Sequence, residues 1–307
     1  VSAVVAAFVA LVAVAVLGYF VGRFGVLRAE DELVLSRLAF FVATPALLFT
    51  TVARADLSAI FSPVLATNLA SLFVVQVLYL LVAAVIWRRT RGEATIGVLA
   101  ASYVNAGNLG IPVAAYVLGS GALVAPIVLF QLLVMAPVAF AILDGDRQGS
   151  GRRVSWRTVV TRPLRNPLTV ASLVGLLVAA VGLELPAMLM RPIDLVAAAA
   201  VPVALVAYGL SLSGARDSIT LSRDVVLAVV LKTFVQPAVA WAVGHWILGL
   251  EGIALLAPTL LAALPTAQNV YVYAVHYRSA QTLARSTVLL STLLSIPVMT
   301  AIVGLLG

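Results

Sequence analysis

Charge is scarce in this sequence. Of 307 residues only 10% are Asp, Glu, Lys or Arg, while 63% are hydrophobic and mean hydropathy is +1.14. Soluble domains carry about 25% charged residues, and too few polar groups remain here to cover a water-exposed surface. The composition therefore excludes a soluble enzyme or binding module and predicts a polytopic membrane protein. Cysteine is absent, which removes disulfides, thiolate metal sites and cysteine nucleophiles and leaves the redox compartment open. Lysine is nearly absent: Lys232 stands against 18 arginines, a bias that, with abundant Ala and Val, points to a GC-rich bacterial genome. The two histidines, His245 and His276, share no motif and no metal-ligand spacing, so packing or interfacial roles are expected and no metal site. Gly-x-Gly patterns occur without a following phosphate-loop Lys, so neither ATP-driven transport nor another cofactor is indicated. All twelve carboxylates fall at or near the ends of apolar runs. That disfavours a buried acidic site for cations, and with no paired histidines it also disfavours a membrane-embedded enzyme.

What is present is apolar sequence in runs of about 20 residues, the length that crosses a hydrocarbon core of about 30 Å as helix. Ten such runs are read, at about 3–22, 33–53, 63–87, 95–118, 121–143, 165–182, 193–213, 224–248, 252–275 and 283–305. The first lacks a basic leader and a small-residue cleavage site, so it reads as a retained span and not a signal peptide. The longest polar stretch, 144–164, is rich in Arg and Gly and reads as a linker between segments 1–143 and 165–307. Sixteen basic residues lie in the odd-numbered loops, among them Arg23, Arg28, Arg37, Arg88, Arg89, Arg278 and Arg285; the even-numbered loops hold only Arg54 and Arg191. The positive-inside rule then makes the odd loops cytoplasmic and puts both termini outside a multi-pass protein of the plasma membrane, the bacterial inner membrane. The pI near 10.2 follows from these loops and indicates orientation, not a nucleic acid partner. Trp87, Trp156 and Trp246 near run ends read as an aromatic belt.

The two segments look like copies of one five-span unit. Span five, from Val128 through Gln131 and Pro137 to Ile142, aligns with span ten, from Val288 through Ser291 and Pro297 to Ile302, at an offset of 160. Pro45 corresponds to Pro202 at an offset of 157, and Pro112 to Pro265 at 153. A unit with an odd number of spans must cross the second time in the opposite sense, which is the inverted repeat of many secondary transporters. The competing reading is chance proline placement in an apolar chain.

Two corresponding spans carry helix-breaking and polar residues at mid-depth. Span four contains Asn105-Ala106-Gly107-Asn108-Leu109-Gly110-Ile111-Pro112, and span nine contains Leu264-Pro265-Thr266-Ala267-Gln268-Asn269. Pro removes a backbone donor and Gly destabilises helix. Such breaks are tolerated in a membrane only where they are buried in protein or line a wet cavity. Paired interruptions of this kind point to a midplane binding site, where half-helix N-termini suit an anion. The blander reading is packing kinks, with the amides bonding neighbouring helices.

The run Asn105 to Pro112, with its Asn-x-x-Asn-x-Gly-Ile-Pro spacing, resembles the fourth-span crossover of the auxin efflux carrier family. Ala263-Leu264-Pro265 with Gln268, Asn269 and Tyr277 resembles that family's ninth-span crossover. Pro45 after Ala43-Thr44, Arg165-Asn166-Pro167, and Lys232 with Pro237 add to the likeness, which covers essentially the whole chain. The resemblance implies an all-α integral membrane protein: ten transmembrane helices as two inverted five-helix repeats, with broken crossover helices four and nine. It further implies a scaffold and a transport domain, elevator-type alternating access, an organic anion as substrate, and a homodimer. Bacterial members of the family include malate permeases. The Gln268-Asn269 pair is closer to bacterial than to plant members, so auxin itself is not expected, and the long plant cytoplasmic loop is nearly absent.

Lys232 lies about 12 Å into span eight at 1.5 Å per residue. A charge at that depth marks a pathway or a partner, unless the span starts later and the side chain snorkels to the surface. Gln236 shares its face one turn on. The candidate substrate-binding residues are Asn105, Asn108, Gln268, Asn269, Lys232 and Tyr273, with Gly110, Pro112 and Pro265 breaking the helices. The expected function is secondary active or facilitative transport of a small organic anion, with coupling to protons or sodium left open. The rivals are a sodium-coupled symporter of the bile-acid type, which needs clustered oxygen ligands, and a non-transporting membrane sensor that binds its ligand at the same crossover.

Overall fold

The computed structural model describes residues 2–28, 30–54, 63–146, 167–213 and 220–307. The linker expected at 144–164 lies outside the described residues from 147 on, as do Asp56, Arg216 and the loop arginines from Arg147 to Arg165. The described residues are helices joined by short turns, with a single isolated antiparallel bridge, Val104 to Thr266.

The helices are α1 (Ser2–Arg23), α2 (Asp31–Ala53), α3 (Pro63–Ile86), α4 (Arg91–Ser102), α5 (106–117), α6 (Ala125–Gly145), α7 (Pro167–Val181), α8 (Ala187–Ala198), α9 (Ala200–Ser213), α10 (Arg223–Ile247), α11 (Gly252–Ala262), α12 (Asn269–Tyr277) and α13 (Gln281–Leu306). Among the described residues, six helices are long and apolar enough to cross a membrane: α2, α3, α6, α10, α13 and the combined 187–210 stretch of α8 and α9. The chain is thus an all-helical, multi-pass membrane protein. The apolar runs 95–118 and 252–275 are each divided in two, into α4 with α5 and α11 with α12.

The helix starts follow from local chemistry. Thr90 caps α4 reciprocally: the Glu93 N–H donates to Thr90 Oγ1 at 3.2 Å, and the Thr90 N–H donates to Glu93 Oε2 at 3.1 Å. Ser222 caps α10 through the N–H of Val225. The Arg89 guanidinium forks onto Asp224 in the first turn of α10, with bonds of 2.6 and 2.9 Å, and Arg223 lies 5.0 Å over the Trp87 ring. Together these contacts tie the loop after α3 to the start of α10 at one membrane face.

Side-chain exposure is inverted relative to a soluble protein. Long apolar side chains such as Val77, Leu81, Leu177 and Ile253 face outward, while Asn68, Gln131, Lys232, Gln236 and Gln268 are buried. That pattern suits a lipid surround, in which polar groups must find partners inside the protein. Small residues allow α1 and α9 to touch backbone to backbone. A Cβ on Gly209 would stand 1.9 Å from the Ala15 carbonyl oxygen, and one on Gly18 would stand 2.4 Å from that of Val206. Close contact through glycine is how membrane helices associate without a hydrophobic driving force. α7 packs on the second half of α2 in the same way, with Gly175 against the Phe49 carbonyl. The other helices surround the two interruptions, in a core that includes Leu99, Tyr103, Leu129, Phe140, Tyr271 and Tyr273.

Candidate functional site

The interruptions at 103–105 and 263–268 meet each other. Asn105 N–H donates to the Pro265 carbonyl at 2.8 Å, and Ala267 N–H donates to the Tyr103 carbonyl at 3.0 Å. This is one antiparallel β-pair inside a helical protein. It satisfies backbone groups that helix breakage frees and that lipid could not satisfy. Neighbouring helices hold the remaining polar groups. Gln131 of α6 grips Val104 at both ends: the Val104 N–H donates to Gln131 Oε1, and Gln131 Nε2 donates to the Val104 carbonyl, each at 3.0 Å. Ser291 of α13 accepts the Thr266 N–H at 3.1 Å, and the Thr266 hydroxyl donates to the Ala100 carbonyl at 2.6 Å.

Each interrupted run contributes one helix that ends at the junction and one that begins there. The ending helices, α4 and α11, bring carbonyls and the negative ends of their dipoles; the beginning helices, α5 and α12, bring N–H groups and positive ends. α10 supplies donors to the negative side. Lys232, fully buried, donates from Nζ to the Ala262 carbonyl and to Gln236 Oε1, both at 2.8 Å. Gln236 Nε2 in turn reaches the Ser102 carbonyl at 3.5 Å. Both terminal carbonyls, Ser102 and Ala262, are thus met by one lysine–glutamine pair.

On the positive side, the N-cap residues of the two beginning helices are Asn105 and Gln268. Asn105 Nδ2 donates to Gln268 Oε1 at 3.0 Å. Gln268 Nε2 is buried and has no hydrogen-bond partner among the described residues. Both residues line a cavity of about 180 Å³. Besides Leu109 and Thr266 of the two interrupted runs, its remaining wall is mostly apolar and comes from α1 (Val12, Ala15, Val16, Tyr19), α9 (Leu205, Tyr208, Leu212) and α13 (Val288, Leu289, Thr292). The cavity therefore lies between the close-packed α1–α9 pair and the helices around the junction. That volume is below the 300–1,000 Å³ typical of drug-sized ligands and matches a smaller molecule.

The structure brings together some of the residues singled out from the sequence and separates others. Asn105 and Gln268 meet in the cavity wall. Asn108 and Asn269 are partly exposed close by and do not line it. Tyr273 is buried one turn further along α12, edge-on to Phe140 at 4.9 Å and close to Phe40 and Tyr103. Lys232 sits at the opposite, carbonyl-rich side of the junction. Pro265 is within its interruption and supplies a paired carbonyl. Pro112 is not within the other: the chain breaks at 103–105, and Pro112 stands in the first turn of the regular helix Ile111–Val117. A wider π turn, Ala106–Gly110, precedes it, and the missing N–H is tolerated there. Gly110 provides close approach, since a Cβ would lie 3.0 Å from Leu264 of the other interruption.

Sequence reasoning passed over Gln131, Thr266, Ser291 and Tyr208. For two of them a signal existed: Gln131 and Ser291 are the aligned polar residues of spans five and ten at the offset of 160. Among the described residues no group of three His, Asp or Glu side chains could hold a metal ion.

A family model described as membrane transport protein matches residues 3–303. A Rhizobium meliloti (strain 1021) protein named "Putative malonate transporter" is 28% identical over 303 residues, covering 94% of this chain and 92% of its own length. A Methanothermobacter thermautotrophicus protein named as an uncharacterized transporter is 30% identical over 293 residues, covering 91% of each chain. An Escherichia coli (strain K12) uncharacterized transporter is 25% identical over 240 residues, 76% of each. A match that runs nearly end to end, on a chain built of apolar helices around two interrupted ones, identifies it as a member of the membrane transport protein family, that of the auxin efflux carriers.

Proposed function

We propose that the chain carries a small organic anion, a carboxylate, across the plasma membrane, with its binding site at Asn105 and Gln268. One observation carries the reading: two helix N-termini open on an apolar cavity through amide side chains, and one buried donor, Gln268 Nε2, has no partner. A carboxylate oxygen would accept from that donor and lie near two positive dipole ends, each equivalent to roughly half a charge. The apolar wall excludes water and strengthens those contacts. The printed name of the Rhizobium meliloti relative makes malonate the first candidate.

In this reading ten spans form two inverted five-helix repeats. Support comes from Gln131 and Ser291, which align at an offset of 160 and hold the backbone N–H of Val104 and Thr266, one in each interruption. The α1–α9 pair, locked through Gly18 and Gly209, is the static frame, and the body around the junction slides along it as an elevator, carrying the cavity from one face to the other. Lys232 acts on substrate indirectly: with Gln236 it supplies donors to the two carbonyl-rich helix ends, so that the positive ends stay unopposed on the cavity side.

The test is uptake of radiolabelled malonate, malate and indole-3-acetate into liposomes, under imposed proton and sodium gradients. The Asn105→Ala/Gln268→Ala variant should lose at least about tenfold in uptake of the transported dicarboxylate, the equivalent of one charge-assisted hydrogen bond. Equal uptake by variant and wild type would sink the site; binding with no flux under any gradient would favour a sensor.

A further inference from the structure

A second pocket, of about 410 Å³, lies away from the cavity, where the first turns of α2 approach the end of α12. Its lining is Leu33, Ser36, Arg37 and Phe41 from α2, with His276 and Arg278 from the end of α12. Arg37 and Arg278 are exposed and make no ion pair among the described residues. No carboxylate lines the pocket; nearby Asp31 accepts from the Arg28 backbone N–H, and Glu32 accepts from the Tyr271 hydroxyl. Ser36, only 1% exposed, presents a hydroxyl with no hydrogen-bond partner. Two unpaired guanidiniums and an unsatisfied buried hydroxyl make a built seat for an anion with several oxygens.

The surface beside this seat separates a lipid from a soluble anion. Val34, Leu38 and Phe41 are 63%, 45% and 49% exposed. With Arg37 they follow the i, i+3, i+4, i+7 spacing of one helix face, so Leu38 and Phe41 continue that face from the basic seat along α2. A soluble phosphate would use the seat alone, whereas a phospholipid would use both parts. Basic pockets between membrane helices, at the face where arginines collect, suit anionic headgroups.

We infer that the seam between α2 and α12 binds an anionic phospholipid, its phosphate held by Arg37, Arg278 and Ser36 and an acyl chain lying along Leu38 and Phe41. The bound headgroup joins α2 to the far end of the helix that begins next to Gln268.

Native mass spectrometry of the purified full chain in neutral detergent tests this directly, with phosphatidylglycerol and phosphatidylcholine as competing probes. Phosphatidylglycerol should be retained about thirtyfold over phosphatidylcholine, given roughly 1 kcal/mol for each of the two arginines near a charged headgroup. Arg37→Gln/Arg278→Gln should abolish the preference at unchanged melting temperature, and Arg191→Gln, on the exposed side of α8, should keep it. If the double variant melts early, the single Arg278→Gln variant is read in its place and should lose part of the preference. An unchanged preference in the arginine variants would overturn the site, and full displacement of the lipid by inorganic phosphate would overturn the lipid as its occupant.

Discussion

Where α4 and α11 end, α10 supplies donors to both terminal carbonyls: Lys232 reaches Ala262, and Gln236 reaches Ser102. Where α5 and α12 begin, the capping amides Asn105 and Gln268 bond to each other, and one donor is left over beside a cavity. The two sides are built from the same two interrupted runs. One is closed by the protein; the other is left for something else to complete. A buried lysine draws attention in a membrane sequence, yet its bonds here are spent on main-chain and amide oxygens. The amide whose hydrogen-bonding capacity is unspent is Gln268, the group to which the proposed function assigns the substrate.

Five substitutions would break or sharpen this contrast, in order of their effect on stability. Lys232→Met keeps bulk and removes the donor, leaving the Ala262 carbonyl and Gln236 Oε1 unsatisfied; it should cost about 2–4 kcal/mol, read as a lowered melting temperature in detergent. A neutral result would mean that the carbonyl side is not held by Lys232. Gly209→Ala forces a methyl against the Ala15 carbonyl and should cost about 1–3 kcal/mol by overpacking. Urea unfolding of the reconstituted protein reports the loss, and an unaffected variant would mean that the α1–α9 contact has room to give. Gln131→Ala removes two bonds to Val104 and should cost about 2 kcal/mol, whereas Ser291→Ala removes one bond to Thr266 and should cost about 1. Equal costs would show that the two halves hold their interruptions with the same strength. Gln268→Leu should be the mildest, about 1 kcal/mol or less, because it also removes an unsatisfied donor. Its uptake of the transported anion should nonetheless fall about tenfold; a variant with normal uptake would remove Gln268 from the site.

Much of this architecture was legible in the residues. Apolar runs marked the helices, because only helix satisfies the backbone in lipid. Pro, Gly and amides at mid-depth mark the interrupted runs, and two of those amides, Asn105 and Gln268, bond to each other. The exact point of interruption was not legible. Pro112 looked like the breaker, but the chain breaks at 103–105, because pairing Tyr103 and Asn105 with Ala267 and Pro265 satisfies their backbone groups. Proline can be accommodated in the first turn of a helix, so its position bounds a break without locating it. Lys232 could be read as lining a pathway or snorkelling, and depth along a helix cannot choose between these. Its partner Ala262 is 30 residues away in sequence.

The sequence by itself determined that this chain lives in a membrane, which way its basic loops bias it, and which two runs are interrupted. Those properties depend on composition, charge and local backbone chemistry, and all of them act over a turn or two of helix. Tertiary structure alone decided which polar groups are used up and which stay free. Gln131, Ser291, Lys232 and Gln236 are spent on oxygens and N–H groups of other segments, while Gln268, in the cavity wall, keeps a buried donor with no partner among the described residues. Hydrogen-bond satisfaction is a property of pairs brought together by packing, and no single run of residues contains both members.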